Sequence, residues 1–466
     1  MTPRFRNAAV VVLISMGLAN ASAQTRPVVR FEDFLQQTRA AHFEMYSGGP
    51  ETAVRDAAAF EEMRQYILAM YQGVTVTHSF VLGTDHVDCV PIEQQPSVRL
   101  LGLKEIATPP PPFVVTKSHS IMRASHSNSE AVPDHNVNSL GSSAVCEEHT
   151  IPMMRMTLEQ LTRFPDLRHF LRKSPDGHNP VTGAPQTVDP KFWLHRYAYV
   201  KQPVINLGGN SALNYWDFPE VNVDKSKGEV FSLSQQWYVG GTGTGLQTAE
   251  VGWQNYPQLY GDPLSHLFIY WTADNYAKTG CYNLACIAFV QIDNSWVLGS
   301  AFFEPGGLGP GDSTVGGAQY EFTAQFNLYN GDWWLYLGKS AGSELTAIGY
   351  YPGSLYGANG QLTHFAQTIE YGTESVACVA AGSVCSATET IFPPEGSGQM
   401  PNNGYSHAAY QRDIFYIDAY GRGVWGKGLK PVQLSPNCYQ VTLPLWGKAP
   451  GWGTYIYVGG PGGKGC

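Results

Sequence analysis

From Phe192 onward the chain changes texture every few residues, and this punctuation limits its fold more than any other feature. Apolar and aromatic residues alternate with polar ones in short runs: His195–Val200, Phe231–Val239, His266–Thr272, Ile287–Ile292, Ser295–Phe302, Gln319–Asn327, Trp333–Leu337, Thr346–Tyr350, Thr363–Tyr371, Asp413–Ile417, Tyr439–Leu443 and Gly453–Val458. Gly, Asn, Asp or Pro separates them. A period of two sends successive side chains to opposite faces of a strand. Turns this closely spaced leave little room for helices. The expected fold is mainly β, one large antiparallel domain over residues 191–466, closed as a barrel or packed as a sandwich. The 50 Gly, 31 Pro, 11 Trp, 26 Tyr and 21 Phe suit such a chain.

The preceding part reads differently. Residues 1–23 carry Arg4 and Arg6, an apolar run Ala8–Leu18 and a small-residue site Ala21-Ser22-Ala23, the pattern of a secretory signal. The apolar run is shorter than the ~20 residues of a membrane span. The product is expected to be secreted, extracellular or periplasmic, and to have no membrane partner. In Val54–Gln72, Phe60, Met63, Ile67 and Met70 fall three or four apart and Gly73 follows, which predicts an amphipathic helix. Val74–Leu82 alternates as a strand. Pro109–Pro112 and the Ser/His/Asn-rich stretch Ser118–Ser143 predict an exposed linker. Thr157 and Gln160 form a capping box for a short helix that Pro165 limits, and a polar loop spans Lys173–Pro190.

The net charge of -9, with no cluster of Lys and Arg, argues against a nucleic-acid partner. Eight cysteines suit an oxidising compartment. Sequence does not fix their connectivity. Pairing nearest neighbours is the economical reading: Cys89–Cys146, Cys281–Cys286, Cys378–Cys385 and Cys438–Cys466. No CxxC pair occurs, and no histidine stands at ligand spacing from two cysteines, so neither metal nor cofactor is expected.

The chain has no HExxH, GxSxG or P-loop motif. Gly404-Tyr405-Ser406-His407 lacks the second glycine of a nucleophile elbow and reads as a turn. What remains in the β region is carboxylates: Glu250, Glu370 and Glu374, with Glu321 and Glu344 as weaker candidates. Two facing carboxylates cannot both ionise, so one stays protonated and the other acts as base. Local pattern alone puts Glu250 on a solvated outer face, because charged residues are mostly exposed.

Several long segments, in order, change that balance: FSLSQQWYVGG, AEVGWQNYPQLYGD, LFIYWTADNYAKTGCYNLAC, IGYYPGSLY, IEYGTESV, EGSGQMPNNGYSHAAYQRDI and YIYVGGPGGKGC, with VDCVPIEQQP and TIPMMRMT earlier in the chain. In these the chain resembles the neprosin family, secreted glutamic peptidases. The resemblance implies an antiparallel β-sandwich preceded by an inhibitory α+β proregion, here residues 24–190. It implies endopeptidase cleavage at proline in acid, without metal, by two glutamates. One lies in the family's E-x-GWQ segment, which is Glu250 here. The other ends a W-G-G-E motif, which reads Tyr371-Gly372-Thr373-Glu374 here, so Glu374 is the second acid. Tyr371 and Thr373 depart from the motif and are expected to alter the pocket around the carboxylate.

On a strand, Gly252 and Gln254 share the face of Glu250, and Glu370 and Gly372 that of Glu374. Gln254, Trp253, Trp271, Tyr282 and Asn283 are candidate substrate-binding residues, with Gln254 a candidate donor to an oxyanion. Trp333 and Trp334 are further aromatics for such a cleft. Expected partners are proline-containing peptides or proteins and the chain's own proregion as inhibitor, in a monomer. A glycoside hydrolase using the same carboxylates, or a secreted binding module without catalysis, are the alternatives.

Overall fold

The computed structural model describes residues 28–113, 146–173, 193–302, 313–378 and 389–466. The signal segment 1–23, the Ser118–Ser143 stretch, the Lys173–Pro190 loop beyond its first residue, and Cys385 lie outside the described residues.

The N-terminal part builds helices α1 (Phe31–Ala40) and α2 (Ala57–Met70), the hairpin β1 (His78–Leu82) and β2 (Asp85–Pro91), helix α3 (Pro96–Leu101), strand β3 (Thr150–Met154), and the short helices α4 (Leu158–Leu161) and α5 (Leu167–Leu171). Helix α2 forms where its stripe predicted. Asp56 caps its first turn by accepting from the Ala59 amide, and Phe60, Met63, Ile67 and Met70 are all buried. Each such side chain contributes roughly 1.5–3 kcal/mol of burial. Thr157 caps α4, but Gln160 does not close the box; its amide donates to the Leu259 carbonyl instead.

From Trp193 the chain is nearly all strand: β4 (Trp193–Asn214), β5 (Glu229–Gly240), β6 (Gln247–Asn255), then helix α6 (Pro257–Tyr260), β7 (Ser265–Thr272), β8 (Val290–Gln291), β9 (Glu321–Tyr329), β10 (Asp332–Gly338), β11 (Thr346–Tyr351), β12 (Ala366–Cys378), β13 (Ile391–Phe392) and β14 (Ala409–Asp418). The strands pair antiparallel in the order β7-β6-β5-β12-β4-β9-β10-β11-β8, with β14 also on β4. Strand β4 is the hinge of the architecture. Its first part pairs with β12 and its last part, Gly208–Asn214, pairs with β9. The sheet thus curls into two halves that face each other, as expected of a sandwich. Tyr238, Val251, Trp253 and Ile269 of one half share a core with Phe322, Phe326, Trp333 and Leu335 of the other.

The outer face of the first half is not solvated. Trp237, Phe268, Tyr270 and Tyr282 form a second core with Phe31, Phe60, Met63, Leu161 and Phe170 from the N-terminal part. Helix α2 reaches the Cys281–Cys286 loop, where the Tyr66 hydroxyl donates to the Ala285 carbonyl.

Other sequence expectations also fail. Ser295–Phe302 is not a strand, because the Asp293 carboxylate accepts the Ser295 and Trp296 amides and turns the chain. Nor is Pro109–Pro112 a free linker: Pro109, Pro110 and Pro112 are half-buried against the second half of the sheet, whose outer face carries Trp334, Tyr336 and Tyr350. The disulfides Cys89–Cys146, Cys281–Cys286 and Cys438–Cys466 form as paired. They fit an extracellular protein. No helix among the described residues is long and apolar enough to cross a membrane.

Candidate active site

Glu250 sits on β6 and Glu374 on β12, separated by β5. Register puts them two rows apart on one face. Tyr270, Glu250, Trp237 and Glu370 align in one row, and His266, Gln254, Leu233, Glu374 and Tyr197 in another. Between them runs Phe268, Gly252, Gln235, Gly372 and Tyr199. The middle row is shallow because two of its members are glycines. A Cβ at Gly252 would stand 2.0 Å from the Ser234 carbonyl oxygen, and one at Gly372 (φ +156) 2.4 Å from that of Ala198. Close strand approach, rather than room for a substrate, is what demands glycine here.

Lys173 fills the gap. Its Nζ lies 2.8 Å from Glu250 Oε2 and 2.8 Å from Glu374 Oε2, and all three side chains are 0% exposed. The ring faces of Trp237 and Phe268 lie 5.7 and 5.9 Å from the ammonium. The lysine lies two residues past the end of α5, which Asp166 caps by accepting the His169 amide and which Arg55 ties down through Asp166 at 2.7 Å. Beyond α5, Arg172 donates to the Ala277 and Lys278 carbonyls and the Lys173 amide donates to the Tyr270 hydroxyl.

The two glutamates are held differently. Tyr276 and Thr248 donate to Glu250 Oε1 at 2.7 and 2.8 Å. Tyr276 comes from a loop in which Asp274 accepts the Lys278 and Thr279 amides, and its φ of +62 is strained for a bulky residue. Glu374 Oε1 lies 2.6 Å from His195 Nδ1 and accepts from the Tyr197 hydroxyl at 3.0 Å; its Oε2 accepts from Gln235 at 3.2 Å. Burial pushes the Tyr197 and Tyr276 phenols far up, and the nearby glutamates add to this, so both stay protonated donors. Burial also works against ionised Glu374, but Lys173 and His195 outweigh it and hold the carboxyl below its usual range. Burial works against the Lys173 ammonium as well, and the two carboxylates override it and raise its pKa. Glu370 is pushed up to about 8 by burial, eased by Lys201 and reinforced by Glu250, its neighbour across Trp237.

The solvated reading of Glu250 is thus overturned. Among the other expected residues, Gln254 lies on the same face, donating to the Tyr282 hydroxyl at 3.2 Å. Asn283 supports that region by accepting the Ile269 amide. Trp253 and Trp271 do not reach the pair. Being odd-numbered on their strands they alternate into the sandwich core, where the Trp253 indole donates to the Asn214 carbonyl. Trp333 is buried in the same core, and Trp334 on the outer face of the other half. The motif departures also turn inward. Tyr371 donates to the Phe415 carbonyl, and Thr373 Oγ1 lies 2.5 Å from Glu395 Oε2, so neither lines the face that carries Glu374.

Lys173, His195, Tyr197, Gln235, Thr248 and Tyr276 were not singled out from the sequence. Only Thr248 had a readable signal, two residues from Glu250 on the same face. The others come together through long-range pairing that no local spacing records.

Among solved structures, a scytalido-glutamic peptidase crystallised with a transition state analog inhibitor matches with a TM-score of 0.31 and 11% identity, over 57% of this chain and 98% of that one. The Neprosin family model matches residues 228–461, half of the chain, including both Glu250 and Glu374. On that match, and with the long segments that carry it, the protein belongs to the neprosin family.

Proposed function

We propose that the protein is an acid endopeptidase that cleaves at proline through Glu250 and Glu374, and that it is made as a zymogen plugged by Lys173. The observation that carries this reading is the shared ammonium: two buried glutamates from different strands converge on one lysine, each at 2.8 Å. Once the N-terminal region withdraws, the same two oxygens hold a water. One glutamate, as carboxylate, takes a proton from it. The other, protonated, hydrogen-bonds the scissile carbonyl and then protonates the leaving amine. The indole N–H of Trp237 and the amide oxygen of Gln235, both buried on this face and without a partner among the described residues, are available to a peptide backbone. Trp237, Phe268 and Tyr282 offer rings against which proline can pack.

The test is to hold the full chain at acid pH until its N-terminal region is released, then present a proline-containing peptide library and read the cleavage positions. Glu250→Gln and Glu374→Gln should each lower hydrolysis by about 10²–10⁴-fold, the range of a lost general acid or base. Cleavage should cluster at proline. A folded Glu374→Gln protein that cleaves at the normal rate would remove the pair from the mechanism, and cleavage away from proline would remove the prolyl preference.

A further inference from the structure

The outer face of the second sheet half lies across the sandwich core from the glutamates, and one segment of the chain covers it. Residues 95–113 cross the strands in spatial order. At β8, Gln95 exchanges hydrogen bonds with the Gln291 main chain, and Ser97 donates to the Phe289 carbonyl at 2.6 Å. At β11 the Ala107 amide donates to the Tyr350 hydroxyl at 3.1 Å. At β10 the Tyr336 hydroxyl donates to the Pro110 carbonyl at 2.5 Å. At β9 the Gln325 amide clasps Phe113 from both sides, accepting its N–H at 2.8 Å and donating to its carbonyl at 3.0 Å. The Phe113 ring ends against Phe415 of β14, with ring centroids 5.9 Å apart.

From Ala107 to Phe113 the polar contacts all go to the segment's main chain. Leu103, Ile106 and Ala107 pack on the cluster of Val98, Val290, Trp334, Tyr336 and Tyr350, in which the Trp334 and Tyr350 ring centroids lie 4.6 Å apart. A run of four prolines has no N–H groups to satisfy and is extended at low ordering cost, so it suits a face that offers rings and donors to carbonyls. Tyr336 and Gln325 donate to the carbonyls of Pro110 and Phe113, while Tyr350 and Gln325 accept the amides of Ala107 and Phe113 on either side of the prolines. They read an extended proline-rich backbone rather than particular side chains.

We propose that this face is a second binding site, specific for extended proline-rich polypeptide, which residues 106–113 occupy in the uncleaved chain and a proline-rich stretch of substrate occupies after the N-terminal region leaves. The step from occupied to vacated rests on the zymogen reading above. The recognition itself does not, and it needs neither glutamate. Substrate held here is tethered to the enzyme while another stretch enters the site of Glu250 and Glu374, so long proline-rich substrates gain over short ones by raised local concentration.

The binding test uses the full chain at neutral pH and a labelled peptide of residues 103–113, LKEIATPPPPF. In the unaltered chain its own segment occupies the face, and binding should be at least ~100-fold weaker than in a chain carrying Ile106→Ser, Pro110→Gly, Pro112→Gly and Phe113→Ser, because a tethered competitor acts at roughly millimolar effective concentration. The opened chain should bind the peptide saturably, read by fluorescence anisotropy. A peptide with its four prolines replaced by alanine should bind at least tenfold more weakly, and adding Gln325→Ala with Tyr336→Phe should abolish the preference. No saturable binding by the folded, opened chain would overturn the proposal, as would equal binding of the alanine peptide. If the opened chain does not fold, the acid-released enzyme supplies the same answer. There Gln325→Ala with Tyr336→Phe should raise KM severalfold for a long proline-rich protein and leave a short peptide substrate unchanged. Equal effects on both substrates would overturn it. Failure of the Glu250 and Glu374 variants to lose hydrolysis would leave the anisotropy result standing, so the two readings fail separately.

Discussion

Lys173 brings one positive charge to two fully buried glutamates, which His195 and four neutral donors also hold. Removing one partner of a buried ionic cluster typically costs about 3–5 kcal/mol, because the remaining charge stays desolvated. With Lys173→Met that penalty falls on the docking of the N-terminal region. The pH window follows from the two shifts. Glu374 is held below its ordinary value, so its contribution is present above about 4.3 and lost as pH falls through the folded value. Lys173 is raised, so its contribution is complete below about 10.4 and does not limit the acid side. In the proposed zymogen, release on acidification would therefore be a carboxylate event. Lys173→Met should move the midpoint of acid release upward by about one pH unit or more, measured as protease sensitivity of the N-terminal region between pH 3 and 7. An unmoved midpoint would mean that the plug does not hold the region in place. Glu250 and Glu374 were legible as a pair only through the long matching segments. Lys173 was not legible at all, because a lysine at the edge of a polar loop looks like any solvated lysine until the fold buries it.

At the scale of strands, parity explains most of what sequence reading got right and wrong. Even-numbered positions of β6 and β12 face the glutamates, and odd-numbered positions face the sandwich core. Applied consistently, that rule would have removed Trp253 from the cleft and shown that Tyr371 and Thr373 lie behind Glu374 rather than beside it. It could not have found β4, where a short expected run at His195–Val200 is part of a 22-residue strand that serves both sheet halves. Such a strand is defined by the partners on either side of it, β12 and then β9, which lie far along the chain. Parity also gives Gly252 its role. A methyl at this position meets the β5 backbone, which has no rotamer to move aside. Gly252→Ala should cost about 1–3 kcal/mol or more, the range for overpacking, and should spread Glu250 from Glu374. Chemical denaturation reads the first effect. The second predicts a loss of kcat larger than that of Gly245→Ala, which sits in an open turn with no neighbour within 4 Å of an added Cβ.

Across the whole molecule, pH acts in opposite directions on the two parts. Acid weakens the Lys173 cluster that holds the N-terminal region, but the β domain contains carboxyls that favour acid. Burial pushes Glu229 up to about 7 and both Glu370 and Glu395 up to about 8, each against smaller opposing interactions. An acid whose pKa is raised in the fold contributes stability that is fully present below its unfolded value, near 4.3, and is lost as pH rises toward the folded value. The β domain should therefore be most stable where the Lys173 cluster is weakest, which is the condition under which the proposed released enzyme would work. Between pH 4.5 and 8 the thermal midpoint of the full chain should fall, by on the order of 5 °C, since each kcal/mol shifts a domain of this size by about 2–4 °C. Glu395 offers the sharper test, because its neighbour Thr373 can partner either a carboxylic acid or an amide. Glu395→Gln fixes the uncharged state, so it should raise the midpoint at pH 8 and change it little at pH 4.5. A flat pH profile in the unaltered chain, or a variant less stable at pH 8, would show that these acids are ionised in the fold and that acid tolerance comes from elsewhere.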